Sequence, residues 1–118
     1  MEALETEFRK EKEQIFRRLA ELHVEELRRR GVFEKTPHYS TLEGSAHQLA
    51  MEVSRVLQEQ SAREVAAHSP PRAPCPECGR ECDSTLVKRT MKSLDGPIEI
   101  LEPQCHCSAC RRAFFPSA

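Results

Sequence analysis

Apolar residues fall into two long stripes in the first half of the chain. Leu4, Phe8, Ile15, Leu19, Leu22 and Leu27 recur at helical spacings among Glu, Lys and Arg, which predicts an amphipathic helix from about residue 2 to Arg30. Arg28, Arg29 and Arg30 suit the negative end of that helix dipole, and Gly31 stands where a C-terminal glycine belongs. Leu42, Ala46, Leu49, Val53, Val56, Leu57 and Val65 form the second stripe. It opens on Ser40-Thr41-Leu42-Glu43, a capping-box pattern just after Pro37, and should end near Ala67, before Pro70. Two such helices joined by 32–39 predict an αα-hairpin over 1–68. Two helices alone leave much of both stripes uncovered, so self-association or a partner protein is expected through this region.

The pattern then changes. Ser69-Pro70-Pro71-Arg72-Ala73-Pro74 holds three prolines in six residues and reads as a stiff linker over 69–74. Beyond it, Thr85 to Lys92 is rich in β-formers, and Ile98-Glu99-Ile100-Leu101 reads as a second strand. Asp95-Gly96 between them is a hairpin turn signal. The fold class predicted is α+β, an N-terminal long-helix hairpin followed by a small β-hairpin unit over 75–118.

Composition sharpens this picture. The 118 residues are 38% hydrophobic and 31% charged, with 5% aromatics and no Trp. So few large apolar side chains bury little surface, and a metal, a partner or both must help the fold. The net charge is −1, which argues against a strongly basic nucleic-acid binder or a polybasic membrane anchor. No segment approaches the ~20 apolar residues that span a bilayer, and the acidic start Met1-Glu2-Ala3-Leu4-Glu5 lacks a signal peptide's apolar run. Six cysteines in such a chain read as metal ligands or free thiols, and the expected compartment is a reducing cytoplasm.

The cysteines carry the chemistry. Cys75-Pro76-Glu77-Cys78-Gly79 and Cys107-Ser108-Ala109-Cys110 are two knuckles. Two residues between thiolates let both sulfurs of a tight turn reach one tetrahedral ion. The predicted hairpin fills the gap and returns the second knuckle beside the first. One structural zinc ion held by Cys75, Cys78, Cys107 and Cys110 is therefore expected, with Cys82 and Cys105 as free, semi-buried thiols; the alternative is ligand swapping, for example Cys78 with Cys82. A redox role for the C-x-x-C pairs would need a βαβ context that the pattern lacks. Four thiolates would close the metal shell, whereas catalytic zinc keeps an open position. No phosphate-binding glycine loop, nucleophile–base pair or carboxylate cluster is evident, so neither catalytic residues nor a small-molecule substrate are expected.

Several runs together resemble the N-terminal region of bacterial insertion-sequence transposases of the Kra group. These are Thr36-Pro37-His38-Tyr39-Ser40-Thr41-Leu42-Glu43 with Ala46-His47 and Gln58, then Ala73-Pro74-Cys75-Pro76-Glu77-Cys78-Gly79. Leu94-Asp95-Gly96-Pro97-Ile98-Glu99 and the run from Cys107-Ser108-Ala109-Cys110-Arg111-Arg112 through Ala113-Phe114-Phe115-Pro116 complete the set. The resemblance covers about residues 30 to 118. In that family the region precedes an RNase H-like catalytic domain with three metal-binding carboxylates. This chain has two aspartates, Asp83 and Asp95, and no segment resembling that domain, so only the ligand cysteines are carried over. The resemblance implies a non-catalytic, transposase-derived module, a truncated copy or a small derived protein, with a DNA-binding or transposition-accessory role. Lys88, Arg89, Lys92, Arg111 and Arg112 are its candidate DNA contacts, although residues 71–118 hold seven Lys or Arg against six acids. The alternative is a protein–protein interaction module in which the ribbon is a structural cap.

Overall fold

A computed structural model describes residues 1–116; the last two residues of the expected 75–118 ribbon, Ser117 and Ala118, lie outside them. The chain is α+β: two long helices precede a four-stranded antiparallel sheet. It divides into two compact units, Met1–Gly44 and a second beginning at Ser45.

The first unit is dominated by α1, Glu2–Arg29. Glu2 and Glu5 sit in its first turn and Arg28 and Arg29 in its last, the charge order that the helix dipole favours. Its C-terminus follows the glycine expectation. Gly31 takes φ 79°, its N–H donates to the Arg28 carbonyl at 3.0 Å, and the Val32 N–H donates to Leu27 at 3.1 Å. This paired bonding, with a left-handed residue just past the cap, satisfies carbonyls that the helix leaves open. The fit to sequence comes from glycine alone reaching that φ cheaply.

The second helix, α2, runs Tyr39–Ala67 and differs at its start from the capping-box expectation. Ser40 lies inside the helix, and His38 occupies the preceding position. The Ser40 N–H donates to His38 Nδ1 at 3.5 Å, the Ser40 hydroxyl lies 3.0 Å from the same nitrogen, and the Thr41 N–H donates to the His38 carbonyl at 2.9 Å. An imidazole nitrogen thus does the work expected of the serine hydroxyl. The helix closes on His68 and Ser69, whose N–H groups reach back to Glu64 and Ala66. Pro70 and Pro71 follow, neither able to donate a further helical bond.

The sheet has the order β1-β2-β3-β4, with β1 Arg72–Pro74, β2 Glu81–Ser93, β3 Gly96–Cys107 and β4 Arg112–Phe114. The segment read as a linker over 69–74 is thus partly a strand, with Arg72, Ala73 and Pro74 opposite Asp83, Cys82 and Glu81. The extended conformation that proline imposes is also what an edge strand needs. The central strands are longer than the expected 85–92 and 98–101. Their register runs from Ser93↔Gly96 to Ser84↔Cys105, so the ladder reaches down to the cysteines.

Proline placement within β3 obeys the ladder. The Glu99 N–H donates to the Glu59 carboxylate of α2 at 2.9 Å, so it points away from β2. Pro97 and Pro103 share its parity along the strand, so their missing N–H groups also fall on the side without a strand neighbour and cost no ladder bond. Glu59 covers that open edge at Glu99, and the turn is gripped as well. Ser54 donates to Asp95 Oδ2 at 2.5 Å, and Arg55 Nη1 donates to the Asp95 carbonyl at 2.7 Å. Ser93 Oγ bonds across the turn to the Gly96 carbonyl and accepts from the Asp95 N–H. The two turn residues are Leu94 and Asp95, and Gly96 takes φ 112° as the first residue of β3.

Candidate metal centre

The buried core of the second unit is made largely of cysteine. Ala73, Cys75, Cys82, Cys105 and Cys107 form one cluster, with Cys110 and Phe114 packed against it. Cys105 and Cys107 are essentially inaccessible, at 1% and 0%. So small a core supplies little hydrophobic free energy, and a fold of this size commonly adds a metal.

The strands explain how the ligands meet. Cys75 follows β1, and Cys107 ends β3, which returns beside β2. β4 pairs back on β3 with Cys107 opposite Arg112. The Sγ atoms of Cys75, Cys78, Cys107 and Cys110 all lie within 4.8 Å of one another. The Cys75–Cys110 and Cys78–Cys107 sulfurs are 3.9 Å and 3.6 Å apart. A regular tetrahedron with metal–thiolate bonds of about 2.3 Å has edges of about 3.8 Å. These two separations bracket that edge, and a donor set of four thiolates fits a tetrahedral metal ion. The four cysteines singled out by spacing are therefore the group that could hold a metal.

The knuckle backbone supports the same role. In the first, the Gly79 N–H donates to the Cys75 carbonyl and the Cys75 N–H to Arg80, both at 2.9 Å. Gly79 follows the second ligand with φ 74°. In the second knuckle the Cys110 N–H donates to the Cys107 sulfur at 3.4 Å. Arg111 occupies the position equivalent to Gly79 and has φ 55°, the sole positive φ outside glycine among the described residues. The two turns share a backbone shape, but the second pays a left-handed penalty of about 1 kcal/mol for its side chain. Arg111→Gly should therefore raise stability by up to about 1 kcal/mol, and Gly79→Ala should lower it by a similar amount. Urea unfolding of the metal-loaded protein measures both; a loss of stability in Arg111→Gly would mean that the side chain contributes more than the strain costs.

Thiol electrostatics separate the cysteines. The backbone N–H of Cys110, aimed at Cys107, pulls that thiol down to about 6, aided by the Cys78 and Cys75 side chains. Cys110 is pushed up to about 12, first by its hydrogen bond with Cys78 and then by burial, so its proton must leave when a metal ion binds. Burial pushes Cys82 up to about 11, and its thiol contacts the Arg80 carbonyl at 3.3 Å. Cys82 and Cys105, expected to be semi-buried, are both buried. They line the core beside the four-sulfur cluster and do not belong to it.

The cations singled out as DNA contacts are placed unevenly. Lys88, Arg89 and Lys92 lie on β2, and Arg111 and Arg112 follow the second knuckle. Lys88 is 3.7 Å from Glu99. Arg89 Nε is 3.0 Å from Glu102, and its guanidinium lies 5.4 Å from the centre of the Phe115 ring. Glu102 Oε2 is shielded from water and meets no well-angled hydrogen-bond donor; the close Arg89 guanidinium still matches its charge. Arg112 pairs with Glu77, a residue between the first two ligands, and so ties one knuckle to the other. Among the described residues, Lys92 and Arg111 form no ion pair. Spacing arguments missed Glu77 and Glu102, because Glu102 meets Arg89 only through the strand register and Glu77 meets Arg112 only once the two knuckles are brought together.

No described helix is long and apolar enough to cross a membrane. Comparisons with protein-family models, with curated proteins and with solved structures find no match to this chain.

Proposed function

We propose that the chain is a zinc-ribbon module, non-catalytic and derived from an insertion-sequence transposase, in which one structural zinc ion is held by Cys75, Cys78, Cys107 and Cys110. The convergence of four thiols within 4.8 Å of one another, with two pairs close to a tetrahedral edge, carries this reading. Zinc suits it because all-thiolate tetrahedral sites are typical structural zinc sites. Iron is the main competitor for such a donor set, and a colourless metal-loaded protein tells zinc from iron. The resemblance of about residues 30 to 118 to the Kra-group region supports the ancestry. A bacterial cytoplasm suits free thiols at Cys82 and Cys105.

The role assigned to the module is accessory contact with DNA during transposition, through the β2 cations and the second knuckle. Duplex DNA binding should be weak at low salt and fall steeply as salt rises. Changing Arg111 and Arg112 together to Ala should lower the salt slope by about two, about one unit per phosphate contact. Zinc should remain, since neither side chain is a ligand. Identical affinities and slopes in wild type and variant would remove these arginines from the interface.

A second reading is favoured by the ion pairing just described. Lys88, Arg89 and Arg112 each face a glutamate, so each must give up a partner to reach phosphate. The uncovered apolar residues of α1 point the same way. On this reading the helices form an association surface and the ribbon is a rigid cap; oligomerisation without DNA affinity would select it.

A further inference from the structure

A run of exposed apolar side chains lies along α1. None of its residues is buried, and Phe8, Ile15 and Phe16 are 54%, 58% and 59% exposed, with Leu4 and Leu22 close behind. Helices in folded proteins draw most of their stability from packing an apolar face. The ion pairs here, such as Arg18–Glu21 at 3.1 Å and Arg29–Glu25 at 3.1 Å, are exposed and contribute little.

The charge along α1 indicates what covers it. Residues 2–14 hold five acids and three bases, and residues 15–30 hold five bases and three acids. The halves therefore carry −2 and +2. Ile15 and Phe16 lie at the middle of Glu2–Arg29, with Leu4 and Phe8 in the acidic half and Leu22 and Leu27 in the basic half. Such a surface is complementary to itself when reversed. A two-fold axis near Ile15 and Phe16 sets acidic half against basic half, aligns Leu4 with the Leu27 end, and opposes the two helix dipoles. Parallel pairing would set like charges together along the whole length.

We propose that α1 is the dimerisation element of this protein, and that two copies pair through it in antiparallel orientation. The proposal rests on the association-surface reading above and adds partner and orientation to it. Salt response distinguishes the orientations. Antiparallel pairing is weakened by salt because screening removes attraction, whereas parallel pairing is tightened because screening removes repulsion.

Sedimentation equilibrium of the full, metal-loaded chain between 0.05 and 0.5 M salt tests this, with circular dichroism confirming that each variant stays helical. The expected result is a dimer at tens of micromolar, on the scale of a weak association, whose Kd rises with salt. Arg17→Glu with Arg18→Glu turns the basic half to −2, and should raise Kd about tenfold or more, on the scale of four exposed charge pairs reversed. Adding Glu11→Lys and Glu13→Lys restores opposite halves and should restore the dimer. Ile15→Asp should abolish it. A monomeric wild type, or an Ile15→Asp variant that still dimerises, would overturn α1 as the association surface. A dimer that tightens with salt, or ignores the Arg17 and Arg18 reversal, would overturn the orientation alone and leave the association reading standing.

Discussion

Cys107→Ser is expected to release the metal and unfold the sheet. Cys107 is fully buried, ends β3, and receives the Cys110 N–H on its sulfur. Its thiol is held below the usual range, which favours the thiolate form that binds a metal ion. A structural zinc site contributes about 10–16 kcal/mol in small zinc-binding peptides at neutral pH, whereas whole domains are stable by about 5–15 kcal/mol. Loss of one ligand of four therefore removes more stability than this unit can spare. Metal analysis should find no bound zinc in Cys107→Ser, and far-ultraviolet circular dichroism should show the sheet signal collapsing. Cys78→Ser should lose the metal too, although Cys78 is exposed. Cys82→Ser and Cys105→Ser should keep the metal, because those thiols lie outside the four-sulfur cluster. Their cost should be about 1–3 kcal/mol, from a hydroxyl buried where a thiol packs. Full metal retention in Cys107→Ser would sink the assignment.

Gly96→Ala is expected to cost about 2 kcal/mol, through two effects at one residue. Gly96 holds φ 112°, a conformation that penalises any L side chain by about 1–2 kcal/mol. An added Cβ would also lie 3.2 Å from Arg55 Nη1 and 3.5 Å from Arg55 Cδ. Arg55 cannot yield freely, since Nη1 donates to the Asp95 carbonyl. Relieving the contact loosens the grip of α2 on the turn. In an Arg55→Ala background the contact is gone, and only the backbone penalty should remain. The two substitutions should therefore cost less together than the sum of their separate costs. Urea unfolding of the four proteins of that cycle gives the coupling directly. Strict additivity would mean that Arg55 and Gly96 do not meet in solution.

How far the sequence revealed this structure varied by element, for physical reasons. The helices and the four ligand cysteines were legible because their signals are local. Apolar spacing reports a helix face, and two residues between cysteines report a knuckle. Gly31 was legible because few residues besides glycine take that φ. The start of α2 was not, because an imidazole can accept the same N–H bonds as a serine hydroxyl, and the pattern at Ser40 outweighed His38. The lower halves of β2 and β3 were hidden as well. Glu81, Asp83, Glu102 and Pro103 have poor strand propensity, and their partners across the ladder, Pro74, Arg72, Val87 and Leu86, hold them extended. Arg72–Pro74 looked like a linker because extended proline-rich chain has the same local signature whether or not a strand lies beside it. The grips of Ser54, Arg55 and Glu59 on the hairpin join residues about forty apart in sequence, and no local pattern reports them. The same holds for the glutamates that face Lys88, Arg89 and Arg112.

The proposed site is one ion held by four sulfurs. X-ray absorption at the metal edge of the purified, metal-loaded chain tests it most directly, combined with the metal-to-protein ratio. The expected result is one zinc per chain and a single shell of four sulfurs at about 2.3 Å. A shell containing nitrogen or oxygen, a ratio well below one, or an iron edge in place of zinc would contradict it.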